Sequence, residues 1–189
     1  MNLPWYGKIF LPILALFLYA ATVVADDTYD IIVIKSRQEL DVVRGDQIIK
    51  QYRIAYGKGG NGPKRVQGDS KTPVGVYRII NFRNNSNFHY FMQLDYPNLL
   101  DAWYGYKNNI ITAMEFKEIA NAYKSRQAPP QDTRLGGNIG IHGLGEATTE
   151  RLKIHEVFNW TNGCIALTND QINDLKQYVS IGTKVVIRE

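Results

Sequence analysis

The sequence predicts a mainly β, β-rich α+β fold with two main helices, and two observations support this. Short segments rich in β-branched residues recur along the chain, separated by glycine, proline and asparagine turn signals. Two segments combine helical spacing of apolar residues with a capping box. A hydrophobic content of 44% and a charged content of 21% exclude a disordered or fibrous chain.

The amino-terminal segment has the pattern of a secretory signal peptide. Residues 9–24 carry no charge, Lys8 precedes them, and small residues provide a cleavage site after Ala25. The apolar run is shorter than the roughly 20 residues of a spanning helix, which leaves an uncleaved anchor as the alternative. We expect residues 1–25 to be a signal peptide, residues 26–189 to be a single domain, and the destination to be the periplasm or cell wall.

Charge and cysteine content limit the partners. The formal net charge is +4, and no long basic run is present, so nucleic acid is not expected as a partner. Membrane contact is expected only if the signal segment is retained. The single cysteine excludes an internal disulfide, and in a secreted protein an unpaired thiol is buried, paired between chains or kept for chemistry.

The first half of the chain predicts a β-meander with a long loop. Strand-like segments lie at 29–36, 38–44, 48–56 and 74–82. Residues 57–69 hold five glycines, one proline and three basic residues with little apolar content, which predicts an exposed loop.

The second half of the chain supplies the two helices. Residues 83–109 show no sustained periodicity and are predicted to be irregular. Thr112 and Glu115 form a capping box that begins a helix through about Lys124. A glycine-flanked strand, a second capped helix and a closing strand are predicted at 135–143, 168–179 and 183–188.

The densest chemical signal is the segment around Cys164, just before the second predicted helix. A cysteine acts as a nucleophile in its thiolate form, and a helix amino terminus or an imidazole lowers its pKa, so we expect a lowered thiol pKa here. Gly163 lets a carbonyl approach the backbone, where the amides of Gly163 and Cys164 could donate to an oxyanion. A small buried hydrophobic side chain is the alternative role for the cysteine.

His142 is the candidate base, because it lies between apolar strand residues and glycines. A structural histidine is the alternative, and His89 and His155 are expected to be structural or surface residues. His142, His155 and Cys164 could also hold zinc, but no pair has a short ligand spacing. We therefore expect neither a metal nor a cofactor.

Two further segments could contact a substrate. The segment 68–77 combines turn residues, a cation and a proline before a strand, and on these grounds it is a rigid loop. Trp103, Tyr104 and Tyr106 could form an aromatic platform for a sugar or peptide, with core packing as the alternative.

Three motifs occur in order along the chain. They are Gly68-Asp69-x-Lys71-Thr72-Pro73-x-Gly75-x-Tyr77, Ile141-His142-Gly143 and Thr161-x-Gly163-Cys164-Ile165. Together they resemble the L,D-transpeptidase catalytic domain (YkuD-type), in its murein-processing branch. The resemblance covers essentially all of the chain after the signal segment.

The resemblance implies a barrel-like or sandwich-like domain whose cysteine attacks a peptidoglycan stem peptide after the L-centre of its third residue. D-Alanine leaves, and the acyl group passes from the enzyme to the amine of another stem, to a lysine of a wall-anchored lipoprotein, or to water. The expected activity is that of a peptidoglycan L,D-transpeptidase. An L,D-carboxypeptidase or endopeptidase of the same fold and a non-catalytic wall-binding module are the alternatives.

Motif positions imply roles for individual residues. Cys164 corresponds to the nucleophile and His142 to the general acid/base, and Gly143 presents the carbonyl that orients the imidazole. Thr161 and Gly163 frame the oxyanion site.

Two positions depart from the family pattern. Asn162, expected at the oxyanion and substrate-binding site, stands where histidine is common, and Ala166 stands where arginine or asparagine is common. The substrate-carboxylate contact credited to that arginine is missing, and Lys71 and Arg134 are the candidate replacements.

Overall fold

The computed structural model describes Met1, residues 28–84 and residues 87–189. The predicted signal peptide, with its cleavage site after Ala25, lies outside the described residues apart from Met1. Within the described part of the chain, no helix is both long enough and apolar enough to cross a membrane.

The described strands form one eight-stranded sheet in the order β3-β2-β1-β8-β4-β5-β6-β7. They are β1 (Asp30–Ile34), β2 (Glu39–Arg44), β3 (Gln47–Arg53), β4 (Gly75–Asn84), β5 (Tyr90–Leu94), β6 (Gly140–His142), β7 (Ile165–Ala166) and β8 (Lys184–Arg188). The pairs β1–β8 and β6–β7 are parallel, and the other neighbours are antiparallel. The predicted β-meander corresponds to β1, β2 and β3.

The two edges of this sheet approach each other. The chain that leaves β3 forms a bridge between Ala55 and Ala166, the last residue of β7, with N–H to carbonyl distances of 3.1 and 2.8 Å. Gly57 and Thr161 form a second bridge. Because bridging two edges curls a sheet toward closure, the architecture is barrel-like, and the predicted mainly β fold class is confirmed.

Four α-helices lie outside the described sheet: α1 (Leu99–Lys107), α2 (Ala113–Ser125), α3 (Thr149–Val157) and α4 (Asn169–Leu175). Helices α2 and α4 are the two that the sequence predicts, and their capping boxes at Thr112 and Thr168 are formed. Helix α4 ends at Leu175, four residues before the predicted end. Helices α1 and α3 are not predicted, and β5 and α1 correct the expectation that residues 83–109 are irregular.

The main hydrophobic core lies on one face of the sheet. Side chains alternate along a strand, so Ile141 of β6 and Ile165 of β7 enter this core, and both are fully buried. A smaller cluster between α1 and α2 includes Ala102 and Ile119. The opposite face of β6 and β7 is therefore free to carry polar side chains.

The glycine-rich loop between β3 and β4 is only partly exposed, which corrects the prediction for residues 57–69. Lys64 is only 3% exposed. Its ammonium forms an ion pair with Asp69 at 2.8 Å and donates to the Val66 carbonyl at 2.9 Å. A buried charge requires such partners, and the loop folds around this pair.

Candidate active site

The register of β6 and β7 places His142 and Cys164 on the same face of the sheet. His142 pairs with Ala166, and Cys164 stands two residues earlier, so both side chains point away from the core. The thiol also donates to the Asn138 carbonyl at 3.5 Å, which fixes the sulfur beside the start of β6.

The imidazole of His142 is buried and held in one orientation. Its Nδ1 lies 2.7 Å from the Gly143 carbonyl oxygen, and only 2% of the residue is exposed. Because a carbonyl can only accept, the proton sits on Nδ1 and Nε2 keeps its lone pair. Burial lowers the His142 pKa to about 4, although the Gly143 carbonyl favours protonation. The ring is neutral at physiological pH and able to accept a proton.

Helix α4 holds the turn that carries the Gly143 carbonyl. Asn169, its first residue, accepts from the Leu144 amide at 2.9 Å and donates to the Gly145 carbonyl at 2.7 Å. A Cβ on Gly143 would lie 2.6 Å from Asn169 Oδ1, so only glycine fits here. Asn169 belongs to none of the sequence motifs, and its position beside the Thr168 cap is the one signal of it in the sequence.

Aromatic rings surround the imidazole. The rings of Phe88 and Phe91 lie 4.3 and 6.0 Å from His142 between centroids, and Trp160 lies edge-on at 6.0 Å. The Trp160 indole donates to His155 at 3.5 Å, and His155 is buried as expected of a structural residue. These rings exclude water and cause the low His142 pKa. Phe88 and Phe91 carry no sequence motif that could have identified them.

Cys164 as a residue is partly exposed, and burial of the thiol raises its pKa to about 11. The Gly140 amide and the charges of Lys64 and Arg83 oppose this rise. The expectation of a lowered pKa is wrong, because strand β7 separates Cys164 from α4 and the neutral imidazole offers no positive charge. At rest the site contains a neutral thiol and a neutral imidazole.

A tight turn shapes the backbone before Cys164. Thr161 Oγ1 donates to the Cys164 carbonyl at 2.6 Å and accepts from the Gly163 amide at 3.2 Å. The Gly163 amide, expected to be an oxyanion donor, is therefore already engaged in this structure. Gly163 has φ +129°, and a Cβ there would lie 2.8 Å from the Lys71 carbonyl oxygen, so a glycine is required.

The other predicted substrate contacts lie in different places. The Lys71 backbone adjoins Gly163, but its side chain runs beside the glycine-rich loop, with Nζ 3.4 Å from where a Cβ on Gly62 would lie. Asn162 is exposed and lines a cleft beside the thiol. Arg134 is exposed, and Ala166 is fully buried.

The two remaining hypotheses concern aromatics and zinc. Trp103 and Tyr106 are exposed on α1, whereas Tyr104 packs against the Arg65 guanidinium at 3.8 Å. Among residues 28–84 and 87–189, no group of three or more His, Cys, Asp or Glu side chains is arranged to hold a metal ion. The described residues thus do not form the zinc site that His142, His155 and Cys164 were considered for.

The fold and the site together define a barrel-like β domain with an imidazole on β6 and a thiol immediately before the neighbouring strand β7. The family model of the L,D-transpeptidase catalytic domain (YkuD) matches residues 28–187. The chain belongs to this family.

Individual relatives agree with the family assignment. The protein of Escherichia coli (strain K12) named "Putative L,D-transpeptidase YafK" is 31% identical over 67 residues, or 34% of this chain and 27% of YafK. The helical cell shape determining protein Pgp2 from Campylobacter jejuni aligns with a TM-score of 0.53 and 24% identity, over 86% of this chain and 49% of that chain. Bd1075 of Bdellovibrio bacteriovorus gives 0.52 and 22%, over 85% and 47%. These structures support the fold, and the chain spans less than half of each.

Proposed function

We propose that this domain is a peptidoglycan L,D-transpeptidase that works through a thioester on Cys164. The observation that carries the proposal is that His142 lies on β6 and Cys164 immediately precedes the paired strand β7, with Nδ1 of the imidazole bound to Gly143. This arrangement leaves Nε2 as a base on the side of the sheet that carries the thiol.

The chemistry follows from the neutral state of both groups. As the sulfur of Cys164 attacks the amide carbonyl after the third stem residue, Nε2 of His142 accepts the thiol proton. The tetrahedral intermediate collapses when His142 returns this proton to the leaving nitrogen, which releases D-alanine and forms the thioester. An acceptor amine then attacks the thioester carbonyl and loses its proton to His142. The C–S bond breaks, and His142 passes this proton to the leaving sulfur, which restores the thiol.

Two separate clefts near the pair support an amine acceptor. One, of about 450 Å³, includes Asn138 and Asn162 in its lining, and the Asn138 carbonyl is the acceptor of the thiol. The other, of about 540 Å³, includes Gly145 and Arg151 and borders the turn after His142. A transferase needs separate places for donor and acceptor, whereas hydrolysis needs only water as the second reactant. The acceptor in this proposal is the amine of a second stem or a lysine of a wall-anchored lipoprotein.

The proposal also covers the cellular location of the chain and its role in cell shape. The apolar segment 9–24 and the site after Ala25 support export to the periplasm or cell wall. The name of the structural relative Pgp2 refers to cell shape, and we extend this process to the present chain. Fractionation of cells that express the tagged chain tests export, because a cytosolic product would contradict this part.

The activity test is incubation of the purified chain with disaccharide tetrapeptide, followed by mass analysis of the products. A crosslinked dimer with loss of D-alanine is the expected product. A tripeptide without dimer would assign the chain to the hydrolase alternative, and unchanged substrate would favour a non-catalytic wall-binding module.

The control for this test is Cys164→Ala. It removes the nucleophile and leaves a small side chain, so it should yield no product while remaining folded. A carbapenem should add its mass to the wild-type chain at Cys164 and add none to the variant. A folded wild-type chain that gains no mass would contradict the proposed thioester chemistry.

A further inference from the structure

The cleft that borders the Cys164 sulfur has a polar lining and a buried cation. The polar residues Gln67, Ser70 and Asn162 contribute to the lining, together with Gln131. Of the described residues that line this cleft, Lys64 carries the only charge. A cleft with several hydrogen-bonding groups and a single ammonium is suited to an anionic polar ligand.

The partner carboxylate of Lys64 is engaged on the loop side of the pair. Asp69 accepts from the backbone amides of Arg65, Val66 and Lys71 at 2.7, 3.1 and 3.1 Å, so its charge is dispersed into the loop. The described lining of the cleft includes Lys64 but does not include Asp69. Of the two partners in the ion pair, the cation and not the carboxylate belongs to a residue that lines the cleft.

The Lys64 ammonium also has an N–H donor left for a ligand. An ammonium has three N–H donors. Within the described residues it uses two of them, on the Val66 carbonyl and the Asp69 carboxylate. The third is available to a ligand without breaking the pair with Asp69.

We propose that Lys64 is a specificity-determining residue whose ammonium binds a carboxylate of the peptide substrate in this cleft. The inference rests on the proposed function for the identity of the substrate. It supplies the cation that the family pattern places at Ala166, where this chain has a fully buried methyl group. Of the two candidates from the sequence, Lys71 runs beside Gly62 and Arg134 is exposed.

The electrostatics of the nucleophile agree with this placement. The positive charge of Lys64 opposes the rise in the Cys164 pKa, so the ammonium is close enough to act on the reacting sulfur. A carboxylate bound at Lys64 would therefore lie in the part of the site where the scissile amide must approach the thiol.

The test compares a tetrapeptide substrate that has free carboxylates with its fully amidated analogue. For Lys64→Met, we expect KM for the free acid to rise about tenfold or more with kcat changed much less, because a charged hydrogen bond contributes roughly 1.5–3 kcal/mol. The amidated analogue should show the same KM for variant and wild type. An equal rise for both substrates, or no rise for the free acid, would overturn the proposal.

Two further variants separate the loss of the Lys64 charge from effects of misfolding and of general charge. Lys64→Met leaves Asp69 without its cation, whereas the double variant Lys64→Met/Asp69→Asn removes both charges and should fold with the same KM effect. Lys58→Met removes an exposed positive charge from the same loop and should leave KM unchanged. A tenfold KM rise in Lys58→Met would show that general charge, and not Lys64, is responsible.

A small-molecule probe separates the cation site from the proposed activity. Alkylation of Cys164 by iodoacetate and by iodoacetamide differs in the charge of the reagent alone, and mass spectrometry measures both rates. The iodoacetate-to-iodoacetamide rate ratio should fall several-fold in the double variant. If the ratio falls while no peptide is processed, the proposed function fails and the anion site stands. If the ratio is unchanged, the Lys64 proposal is wrong.

Discussion

Nδ1 of His142 lies 2.7 Å from the carbonyl oxygen of Gly143, and this contact determines the chemical state of the site. It places the single proton of the neutral ring on Nδ1 and leaves Nε2 as the base. Burial lowers the His142 pKa to about 4 and raises the Cys164 pKa to about 11, so no thiolate–imidazolium pair exists before substrate binds. Proton transfer must accompany nucleophilic attack.

The pH profile of acylation should reflect the low pKa of His142. The base must be neutral, and because its pKa is lowered, the neutral form persists down to about pH 4. We expect kcat/KM for the tetrapeptide to be flat from about pH 5 to 8 and to fall below this range with a midpoint near 4. Circular dichroism at each pH is the control for folding. A midpoint at the ordinary histidine value of about 6.5 would contradict this assignment.

The pH dependence of alkylation of the free thiol should reflect the raised pKa of Cys164. With a pKa of about 11, only about one thiol in ten thousand is ionised at pH 7. The rate of iodoacetamide addition to Cys164 should rise about tenfold for each pH unit between 7 and 10. The same slope is expected for His142→Gln, because the imidazole does not hold a preformed thiolate. A plateau at neutral pH in the wild type would instead reveal an ion pair.

The sequence was sufficient for most of the sheet, because the strands depend on local patterns. The β-branched run at 29–36 contains β1, and the capping box of Thr112 and Glu115 begins α2 where predicted. Helix α1 was missed because its capping box uses Asn98 and Asp101, and these follow a proline that resembles a turn signal. Residues of α1 that face solvent, such as Leu100 and Trp103, also obscure helical periodicity.

The sequence predicts which residues form the site, but not how they are arranged in space. The motifs select His142 and Cys164, but distance along the sequence does not give distance in space. The helix that follows Cys164 begins beyond β7, so the predicted lowering of the thiol pKa fails. The burial of Lys64 could not be predicted either, because it depends on a partner in the same glycine-rich loop and not on apolar neighbours in the sequence.

Asn169 should act as a positioning residue for His142. Asn169→Ala removes the bonds to the Leu144 amide and the Gly145 carbonyl, which releases the turn that presents the Gly143 carbonyl. We expect kcat to fall about 10–100-fold with KM within about twofold, and the free energy of unfolding to fall by about 1–3 kcal/mol. Steady-state kinetics and urea denaturation measure these quantities.

Two variants distinguish a positioning role of Asn169 from a purely structural role. Asn169→Asp keeps an acceptor for the Leu144 amide and should recover part of kcat. Gln177→Ala removes an exposed amide beyond the other end of α4 and should change neither kcat nor stability. Lost stability with an unchanged kcat in Asn169→Ala would restrict Asn169 to a structural role.

Thr161 should stabilise the turn that presents the nucleophile. Its buried hydroxyl bonds both the Cys164 carbonyl and the Gly163 amide, and Thr161→Val replaces it with a methyl group of similar size. Both backbone groups then lose a partner, so we expect the free energy of unfolding to fall by about 1–3 kcal/mol with an unchanged urea m-value. Thr161→Ser keeps the hydroxyl and should lose less than half as much stability.

Because the Gly163 and Cys164 backbone loses its anchor, acylation by a carbapenem should also slow at least several-fold in Thr161→Val. Equal stability of the two variants, or an acylation rate in Thr161→Val equal to that of wild type, would show that the hydroxyl does not hold this turn.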